Sequence, residues 1–521
     1  MLITLMIGSI CSFGQQNWHF QDYTDDGYAG ISLHKAYTLL KDRKPKPVIV
    51  AILDSGVDTT NEDIKHFLWQ NPNEIPANGK DDDHNGFIDD VHGWNFLGNA
   101  KGQNIDAESL EVTRMYSRMF KKFNNIDTLH LKGNDKKEFD LYIRIRNDYQ
   151  NRVKEANEEL TYYTIVIKNV TRMENALKQY LHTDTLTESK LKPLLTCQND
   201  TIKTFASRYY QSKKAGYELA QIKNAALVTE KKLKTELNPD FDARYIVGDN
   251  PFNINDSIYG NNDIMGPSCN HGTFTAGIIA ADRHNGNNAF GIADCVQIMI
   301  LRIVPGGDER DKDVANAIKY AVNNGAKILN MSFGKQYSPE KNMVDDAITY
   351  AESKGVIFIH AAGNESNNND KIPHFPSPVG INNKLLTKRW IDVGASGIKV
   401  DENLAAPFSN YGKKTVDVFA PGVKIFSTGL HNSFRASNGT SASCPVVTGI
   451  AALLMSYFPE LTSSEIRNII LSSVNIYKIR VLLPSKSEYN KRIPFTKLSK
   501  TGGIVNAEKA VKMAISLSKK R

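Results

Sequence analysis

A serine stands at the start of an apolar run near the C-terminal end of the chain. The stretch Gly439-Thr440-Ser441 is followed by Pro445 and by a mostly apolar segment over residues 446–455. This pattern predicts a loop, the serine, and then a buried helix with the proline in its first turn, where its missing N–H costs little. A hydroxyl there lies at the positive end of the helix dipole, which favours a nucleophile whose reaction develops negative charge. The same pattern is also typical of a serine that only caps the helix.

Three further polar residues lie at the ends of predicted elements. Asp54 follows the β-branched run 47–53, which has the character of a strand buried on both faces of a parallel sheet. Asn364 follows a second such strand, 356–361, and His271 opens a helical run. Because open α/β sheets build their sites at the carboxyl ends of the strands, these residues are candidates for one site. Each of them alone is also consistent with an ordinary turn or cap residue.

Together the four residues could carry out acyl transfer. Ser441 would attack a carbonyl carbon, and His271 would accept the serine proton and return it to the leaving group. Asp54 would hold the imidazole in the required tautomer and stabilise its cation. The side-chain amide of Asn364, with the backbone N–H of Ser441, would stabilise the negatively charged oxygen.

The elements that must position these residues alternate between strands and helices. Further strands are predicted at 298–304, 326–332, 390–395 and 415–420, and helices at 274–281, 314–323, 343–354, 463–474 and 507–517. Such alternation predicts an α/β fold, with a doubly wound, mostly parallel sheet and helices on both of its faces. A chain of 521 residues, 41% of them hydrophobic, is long enough to bury such a core.

Four segments of the chain resemble the signature blocks of the subtilisin-like serine proteases. They are Ala51-Ile-Leu-Asp54-Ser-Gly, His271-Gly-Thr-Phe-Thr-Ala-Gly277, Ala361-Ala-Gly-Asn364 and Gly439-Thr-Ser441-Ala-Ser-Cys-Pro445. The order Asp, His, Ser along the chain is also that of the family. The resemblance covers residues 45–98 and 255–515. It implies the family's fold and a peptidase with Asp54, His271 and Ser441 as its triad and Asn364 as its oxyanion donor.

The same resemblance implies how a substrate would bind. Ser332, Phe333 and Gly334 are similar to the edge strand that pairs with the backbone of an extended peptide. Ala361 and Gly363 resemble one wall of the pocket for the side chain that precedes the cleaved bond. The expected partner is therefore a polypeptide bound in extended form.

Acidic and amide side chains are concentrated in the stretch 81–90. Its candidate metal ligands are Asp81, Asp83, Asn85, Asp89 and Asp90. Their spacing, with Gly86 for a sharp turn, is that of the first half of an EF-hand loop, although His92 occupies the position of the closing glutamate. The alternative is an acidic loop in solvent. Because so many carboxylates repel one another without a cation, the sequence favours a structural calcium ion. Residues 285–288 are weakly similar to a calcium loop of the family, with Asp63 as a distant carboxylate.

The distance from Asp54 to His271 is far longer than in ordinary members of the family. Residues 99–239, which are poor in glycine and proline, account for most of the excess. Apolar residues recur at three- and four-residue steps from Tyr142 to Tyr180 and again from Ile202 to Leu237, which predicts an antiparallel hairpin of two long helices. This helical insertion would divide a catalytic domain formed by 47–98 and 240–521. We expect it to gate the cleft or to bind a partner.

The N-terminal segment and the overall charge bear on location and partners. Residues 1–14 combine an apolar, uncharged run with small residues, which is typical of a secretory signal peptide too short to span a bilayer. Residues 15–46 form an N-terminal extension. The net charge of +7, from 64 basic and 57 acidic residues, is too dilute to indicate nucleic-acid binding. We therefore expect a secreted protein with no stable membrane span. The family resemblance implies a bacterial protein, so that its location would be the periplasm, the cell surface or the exterior of the cell.

The sequence thus predicts a secreted serine endopeptidase of subtilisin type that works through an acyl-enzyme. One alternative is a catalytically silent, calcium-dependent binding protein on a protease scaffold, which the complete triad disfavours. Another is a relative with glutamate in place of the triad histidine, which the His271 block disfavours.

Overall fold

The structure is a computed structural model that describes residues 17–126, 131–216, 218–488 and 490–521. The described chain forms two compact units: an insertion unit, Val112–Phe241, and a sheet unit made of the residues before and after it. The insertion unit begins at Val112 rather than at residue 99, because residues 99–111 pair with the sheet unit. The predicted signal peptide, 1–14, lies outside the described residues.

The helices are labelled in chain order. They are α1 (Tyr23–Asp26), α2 (Leu33–Leu40), α3 (Glu111–Phe123), α4 (Gly133–Leu181), α5 (Glu188–Leu191), α6 (Asp200–Lys214), α7 (Leu219–Lys234), α8 (Asn270–Ala280), α9 (Asp311–Asn323), α10 (Lys341–Ser353), α11 (Thr440–Tyr457), α12 (Ser463–Ser472) and α13 (Ala507–Ser518). Short 3-10 helices occupy Trp18–Phe20, Lys65–Phe67, Lys192–Thr196, Arg244–Ile246 and Phe495–Lys497.

All strands among the described residues belong to the sheet unit. They are β1 (Val48–Asp54), β2 (Gly93–Asn95), β3 (Val296–Arg302), β4 (Ile328–Met331), β5 (Ile357–Ala361), β6 (Trp390–Ser396), β7 (Val418–Pro421), β8 (Ile425–Thr428), β9 (Phe434–Ser437), β10 (Asn475–Ile476), β11 (Arg480–Leu482), β12 (Arg492–Pro494) and β13 (Gly503–Ile504).

Nine strands form one sheet in the order β10-β13-β7-β6-β5-β4-β1-β3-β2. All neighbouring pairs are parallel except β10 and β13. From β1 the chain first builds β2 and β3 on one side and then β4 to β7 on the other, so the strand order reverses between β1 and β4. The predicted doubly wound, mostly parallel sheet is confirmed. Two small antiparallel pairs, β8 with β9 and β11 with β12, lie outside it.

The two faces of the sheet bury separate layers of helices. Along β1, Val50 and Ile52 pack into a core with α2, α8, α11, α12 and α13, whereas Ala51 and Leu53 pack into a core with α9 and α10. Successive side chains of a strand point to opposite faces, so a continuous apolar run is required where both faces are covered. This requirement is the reason that β1 could be predicted from its composition.

Helix α11 is long and apolar enough to cross a membrane by length and composition, the one such helix among the described residues. In the structure 89% of this helix is buried inside the protein, and core helices meet the same criterion.

The insertion unit is built around the single 49-residue helix α4. Both α6 and α7 pack against α4. Leu177, near the end of α4, packs in one cluster with Ile202 at the start of α6, and Tyr149 donates a hydrogen bond to the Leu237 carbonyl at 3.0 Å. The return arm therefore runs antiparallel to α4, as predicted. It is divided, however, because Gly216 has a φ of +80°, a left-handed conformation that ends helices.

A buried arginine links the turn after β1 to the loops on either side of the insertion unit. Arg302, at the end of β3, is fully buried. Its guanidinium donates hydrogen bonds to the Ser55 carbonyl at 3.2 Å, to Asn95 Oδ1 at 2.9 Å and to the Ile105 carbonyl at 2.5 Å. Asn95 in turn donates to Asn261 Oδ1 at 2.8 Å. The two chain segments that lead into and out of the insertion are thus held together within the sheet unit.

We expect Arg302→Met to destabilise the protein by about 3 kcal/mol, because three hydrogen bonds to buried acceptors would be lost. Thermal unfolding followed by circular dichroism measures this as a melting temperature several degrees below that of the parent. Arg480→Met, at an exposed position on β11, is the matched control, and we expect it to change stability by less than about 0.5 kcal/mol. Equal melting temperatures for the two variants would contradict the role of Arg302.

Candidate active site

Asp54 and His271 form a hydrogen bond at the carboxyl edge of the sheet. Asp54 is the last residue of β1 and is 1% exposed. Its Oδ1 accepts a hydrogen bond from His271 Nδ1 at 2.7 Å, across 217 positions of sequence. Because a carboxylate can only accept, Nδ1 carries the proton, and in the neutral ring Nε2 keeps the lone pair that can accept a second one. The His271 side chain is 40% exposed, so the ring is open to an incoming molecule.

The first turn of α8 brings His271 close to the end of β1. A Cβ added to Gly272 would lie 2.0 Å from the Gly56 carbonyl oxygen, so only glycine permits this approach. Thr275, one turn further along α8, donates to Asp54 Oδ2 at 3.4 Å. The helix therefore supplies both the histidine and a second donor to the carboxylate.

Opposing influences set the pKa of His271. Partial burial lowers the pKa of His271, but the charge and the hydrogen bond of Asp54 raise it by more, so the pKa lies above its ordinary value. The charge of Arg435 on β9 acts against this and lowers the pKa of His271. Arg435 lies with its Cζ 4.8 Å from the centre of the Phe274 ring. No sequence pattern pointed to Arg435.

Ser441 is the second residue of α11. The prediction that Pro445 lies in the first turn is wrong, because the helix begins at Thr440 and Pro445 lies in its second turn. Proline has no N–H to donate to the carbonyl four residues earlier, which is that of Ser441. Ser332 supplies the missing donor, since its Oγ lies 3.2 Å from the Ser441 carbonyl oxygen. Because of the proline, the Ser441 carbonyl is available to accept a hydrogen bond from Ser332, which connects Ser441 to the segment after β4.

The amide orientation of Asn364 follows from its contacts with Thr440. Asn364 Oδ1 accepts hydrogen bonds from the Thr440 backbone N–H at 2.8 Å and from its Oγ1 at 3.1 Å. With the oxygen engaged, the NH₂ group is left to donate elsewhere. Ser441 Oγ and Asn364 Nδ2 lie 2.9 and 3.8 Å from the point that a Cβ on Gly439 would occupy. A hydroxyl and an amide donor therefore border the same small space, and glycine keeps it open.

The segments expected to bind substrate follow two adjacent strands. Ser332–Gly334 comes directly after β4, while Ala361 ends β5 and Gly363 precedes Asn364. Because β4 pairs with both β1 and β5, these segments lie beside Asp54 at one edge of the sheet. Phe333 is 9% exposed, so its side chain packs inward and its backbone is the part available to a peptide.

Two of the predicted metal ligands lie together in a carboxylate cluster. Single oxygens of Asp83, Asp90 and Glu74 lie within 4.8 Å of one another. Burial raises the pKa of Asp90 to about 6, with a further contribution from Asp83. Oε2 of Glu74 is buried without a hydrogen-bond partner in the part of the chain that the structure describes. A buried carboxylate oxygen of this kind, beside two further carboxylates, fits a hard cation such as Ca²⁺.

The remaining predicted ligands shape the loop around this cluster. Asp81 accepts hydrogen bonds from the backbone of residues 85–86, and Asp89 accepts them from the backbone of residues 78–79. Asn85 donates from Nδ2 to the two clustered aspartates at 3.1 and 3.0 Å. Glu74 had no signal in the sequence, because it lies outside the stretch whose spacing suggested a metal site.

A second oxygen-rich contact joins Asp63 to residues 285–288. Asp63 is 2% exposed, and its Oδ1 accepts hydrogen bonds from Asn285 Nδ2 at 2.5 Å and from Asn287 Nδ2 at 3.0 Å. The structure therefore brings the distant carboxylate to the loop with which the sequence paired it.

Comparisons with known proteins place the chain in a family. The model of the subtilase family, peptidase S8, matches residues 46–502, and the chain belongs to that family. It is 34% identical over 220 residues to the thermophilic serine proteinase of Bacillus sp. (strain AK1), a match that covers 42% of this chain and 49% of that protein. It is 32% identical over 200 residues to subtilisin DY of Bacillus licheniformis, covering 38% of this chain and 68% of that protein.

The chain thus spans about half the length of the first of these relatives. Among solved structures, a protease from Pseudoalteromonas arctica PAMC 21717 aligns with a TM-score of 0.47 and 18% identity, over 96% of this chain and 97% of that one.

We expect the pKa of His271 to respond in opposite directions to two substitutions. Asp54→Asn removes the charge that raises the pKa and should lower it, whereas Arg435→Gln removes the charge that lowers the pKa and should raise it. Titration of the His271 Cε1 proton by NMR, assigned with a His271→Gln variant, measures both. A pKa that stays constant in Asp54→Asn would show that the carboxylate does not stabilise the imidazolium.

We expect calcium to stabilise the protein through the cluster of Glu74, Asp83 and Asp90. Chelation with EGTA should lower the melting temperature, and added calcium should restore it in proportion to the logarithm of its concentration. Glu74→Gln should raise the calcium concentration needed for a given melting temperature about tenfold or more. Glu62→Gln, at an exposed carboxylate paired with Lys65, should leave that concentration unchanged. Equal calcium dependence in the two variants would exclude Glu74 as a ligand.

Proposed function

We propose that this protein is a secreted serine endopeptidase that cleaves peptide bonds through an acyl-enzyme. The observation that carries the proposal is the 2.7 Å hydrogen bond between Asp54 and His271, two residues 217 positions apart, at the edge of the sheet where Ser441 and Asn364 also lie. Membership of the subtilase family supports it.

In the first half of the reaction the Ser441 Oγ bonds to the carbonyl carbon of the peptide. His271 Nε2 accepts the hydroxyl proton as this bond forms, and Asp54 stabilises the resulting imidazolium through Nδ1–H. The proton then passes from Nε2 to the departing amine as the C–N bond breaks. The product of these steps is an ester between Ser441 and the N-terminal fragment of the substrate.

In the second half a water molecule replaces the amine. His271 accepts a proton from the water while the water oxygen bonds to the ester carbon, and it returns that proton to Ser441 Oγ as the ester bond breaks. Both halves pass through a tetrahedral species with a negatively charged oxygen. The Asn364 amide, whose Oδ1 is already held by Thr440, is oriented to donate to that oxygen.

We assign the binding of the substrate backbone to Ser332, Phe333 and Gly334. A peptide in extended conformation would add a strand beside this segment, and main-chain hydrogen bonds of this kind accept many side-chain sequences. Ala361 and Gly363 would border the side chain of the residue that precedes the cleaved bond. The proposed partner is accordingly a polypeptide.

We assign a structural role to calcium. Glu74, Asp83 and Asp90 would hold one ion, and Asp63 with Asn285 would contribute to another. A bound ion would neutralise carboxylates that the fold otherwise buries in mutual repulsion. None of these residues lies among those assigned to bond making, so calcium would act on stability.

Secretion and the role of the insertion stay predictions. The segment 1–14 that would direct export lies outside the described residues, and the insertion unit, Val112–Phe241, is described by itself. A gate over the cleft and an arm for a partner are the two roles proposed for the insertion.

We expect Ser441→Ala to lower kcat on a casein-derived peptide by at least about 10⁴-fold, because the nucleophile is lost while binding is kept. Ser487→Ala, in an exposed loop, is the matched control and should retain full activity. N-terminal sequencing of both secreted proteins would show where the signal is removed and whether the enzyme processes itself. Equal hydrolysis by wild type and Ser441→Ala would contradict the assigned nucleophile, and binding without hydrolysis by the wild type would support the silent scaffold.

A further inference from the structure

One histidine contacts both glycines of the two segments assigned to substrate binding. A Cβ added to Gly334 would lie 2.3 Å from His374 Nε2, and a Cβ added to Gly363 would lie 3.0 Å from His374 Cε1. One edge of the imidazole therefore lies within contact distance of the segment after β4 and of the segment after β5. His374 was not among the residues that the sequence suggested.

The ring of His374 borders the space that the side chain before the cleaved bond would enter. The carbonyl carbon under attack must lie at Ser441 Oγ, with its oxygen toward Asn364 Nδ2. Asn364 follows Gly363 directly, and Ser332, two residues before Gly334, holds the Ser441 carbonyl. Under the proposed function, the residue that supplies the attacked carbonyl would lie between the two segments that contain these glycines, and its side chain would be directed toward the gap between them.

The backbone next to His374 is anchored to the same edge. Phe375 pairs with Lys335 through two backbone hydrogen bonds, of 2.9 and 2.8 Å, in an antiparallel bridge. Lys335 follows Gly334 directly. His374 and the segment after β4 are therefore held at a fixed distance from each other. Because His374 directly precedes the paired residue Phe375, its backbone cannot move away from this segment.

A second histidine supports the ring from below. His360, on β5, is 1% exposed, and its ring centre lies 5.2 Å from that of His374. Its Nδ1 donates to Asp392 at 2.6 Å, which fixes its orientation. Asn410 and Glu365 close the other side, since their side-chain atoms lie 2.3 and 2.6 Å from the Cβ position on Gly363. The gap between the two glycines is thus bounded by packed side chains rather than open.

The ring edge that faces this gap is uncharged. Burial, followed by the neighbouring His360, lowers the pKa of His374 to about 4, so the imidazole is neutral near pH 7. The Nε2 atoms of His374 and His360 are buried without hydrogen-bond partners among the residues described. The ring therefore presents no charge to a side chain that approaches it.

We infer that His374 is the floor of the pocket for the side chain before the cleaved bond, and that it restricts cleavage to bonds that follow small residues such as alanine and serine. The inference rests on the proposed function and names the substrate class of that same site. A short side chain ends above the ring, whereas a phenylalanine or leucine side chain would have to displace it together with His360 behind it.

The test compares peptides that differ only in the residue before the cleaved bond, with Ala, Ser, Leu or Phe there. For the wild type we expect kcat/KM to be at least about 50-fold higher with Ala or Ser than with Phe. His374→Ala should raise kcat/KM for the Phe peptide about 10-fold or more and change that for the Ala peptide less than about 3-fold. His66→Ala, at an exposed histidine, is the control and should leave the ratio unchanged.

The ratio of the kcat/KM values for the Ala and Phe peptides on one enzyme separates specificity from a loss of folded protein. Such a loss would lower both kcat/KM values equally. A wild type that cleaves the Phe peptide as well as the Ala peptide would overturn the inference, and so would an unaltered ratio in His374→Ala. If the His374→Ala variant does not fold, the inference is tested by the same ratio of kcat/KM values in the wild type and in a His374→Asn variant. Absence of cleavage of every peptide and of casein by the wild type would instead refute the proposed function itself.

Discussion

The hydrogen bond between Asp54 and His271 is the contact on which the site depends. Asp54 is buried at the end of the strand that lies between the two halves of the sheet, and an unpaired carboxylate there would be costly. His271 can satisfy it only if α8 packs tightly against the turn after β1, and Gly272 permits that contact. The packing of the core and the orientation of the imidazole are therefore fixed by the same set of contacts.

The long insertion between these two residues is accommodated by tying its flanking segments together within the sheet unit. Arg302 bonds at once to the turn after Asp54 and to the chain leading into the insertion, while Asn95 and Asn261 join the segments on either side of it. The free energy needed to close a loop rises only slowly with the length of the loop. Anchoring the two segments that flank the insertion is therefore sufficient to accommodate it. A folded unit at this position leaves the pairing of β1 with β3 undisturbed.

The orientations of Ser441 and Asn364, which we propose as nucleophile and oxyanion donor, depend on a conflict between helix geometry and local sequence. Pro445 removes the helical donor from the Ser441 carbonyl, and Ser332 replaces it. Thr440 uses both its backbone N–H and its hydroxyl to hold Asn364. These bonds join the ends of two strands, β4 and β5, to the start of α11, so that the atoms assigned to catalysis are oriented before any substrate arrives.

The sequence by itself determined the features that have a local signature. The apolar run of β1, the alternation of strands and helices, and the polar residues at element ends were visible because burial and backbone geometry impose periods and end signals on neighbouring residues. The tertiary structure alone decided which distant groups meet. Glu74 in the carboxylate cluster, Arg435 near His271 and His374 between the two glycine segments carry no such signal. Their positions follow from the way the sheet, the loops and the helices pack, because contacts between residues far apart in the chain leave no regular spacing in the sequence.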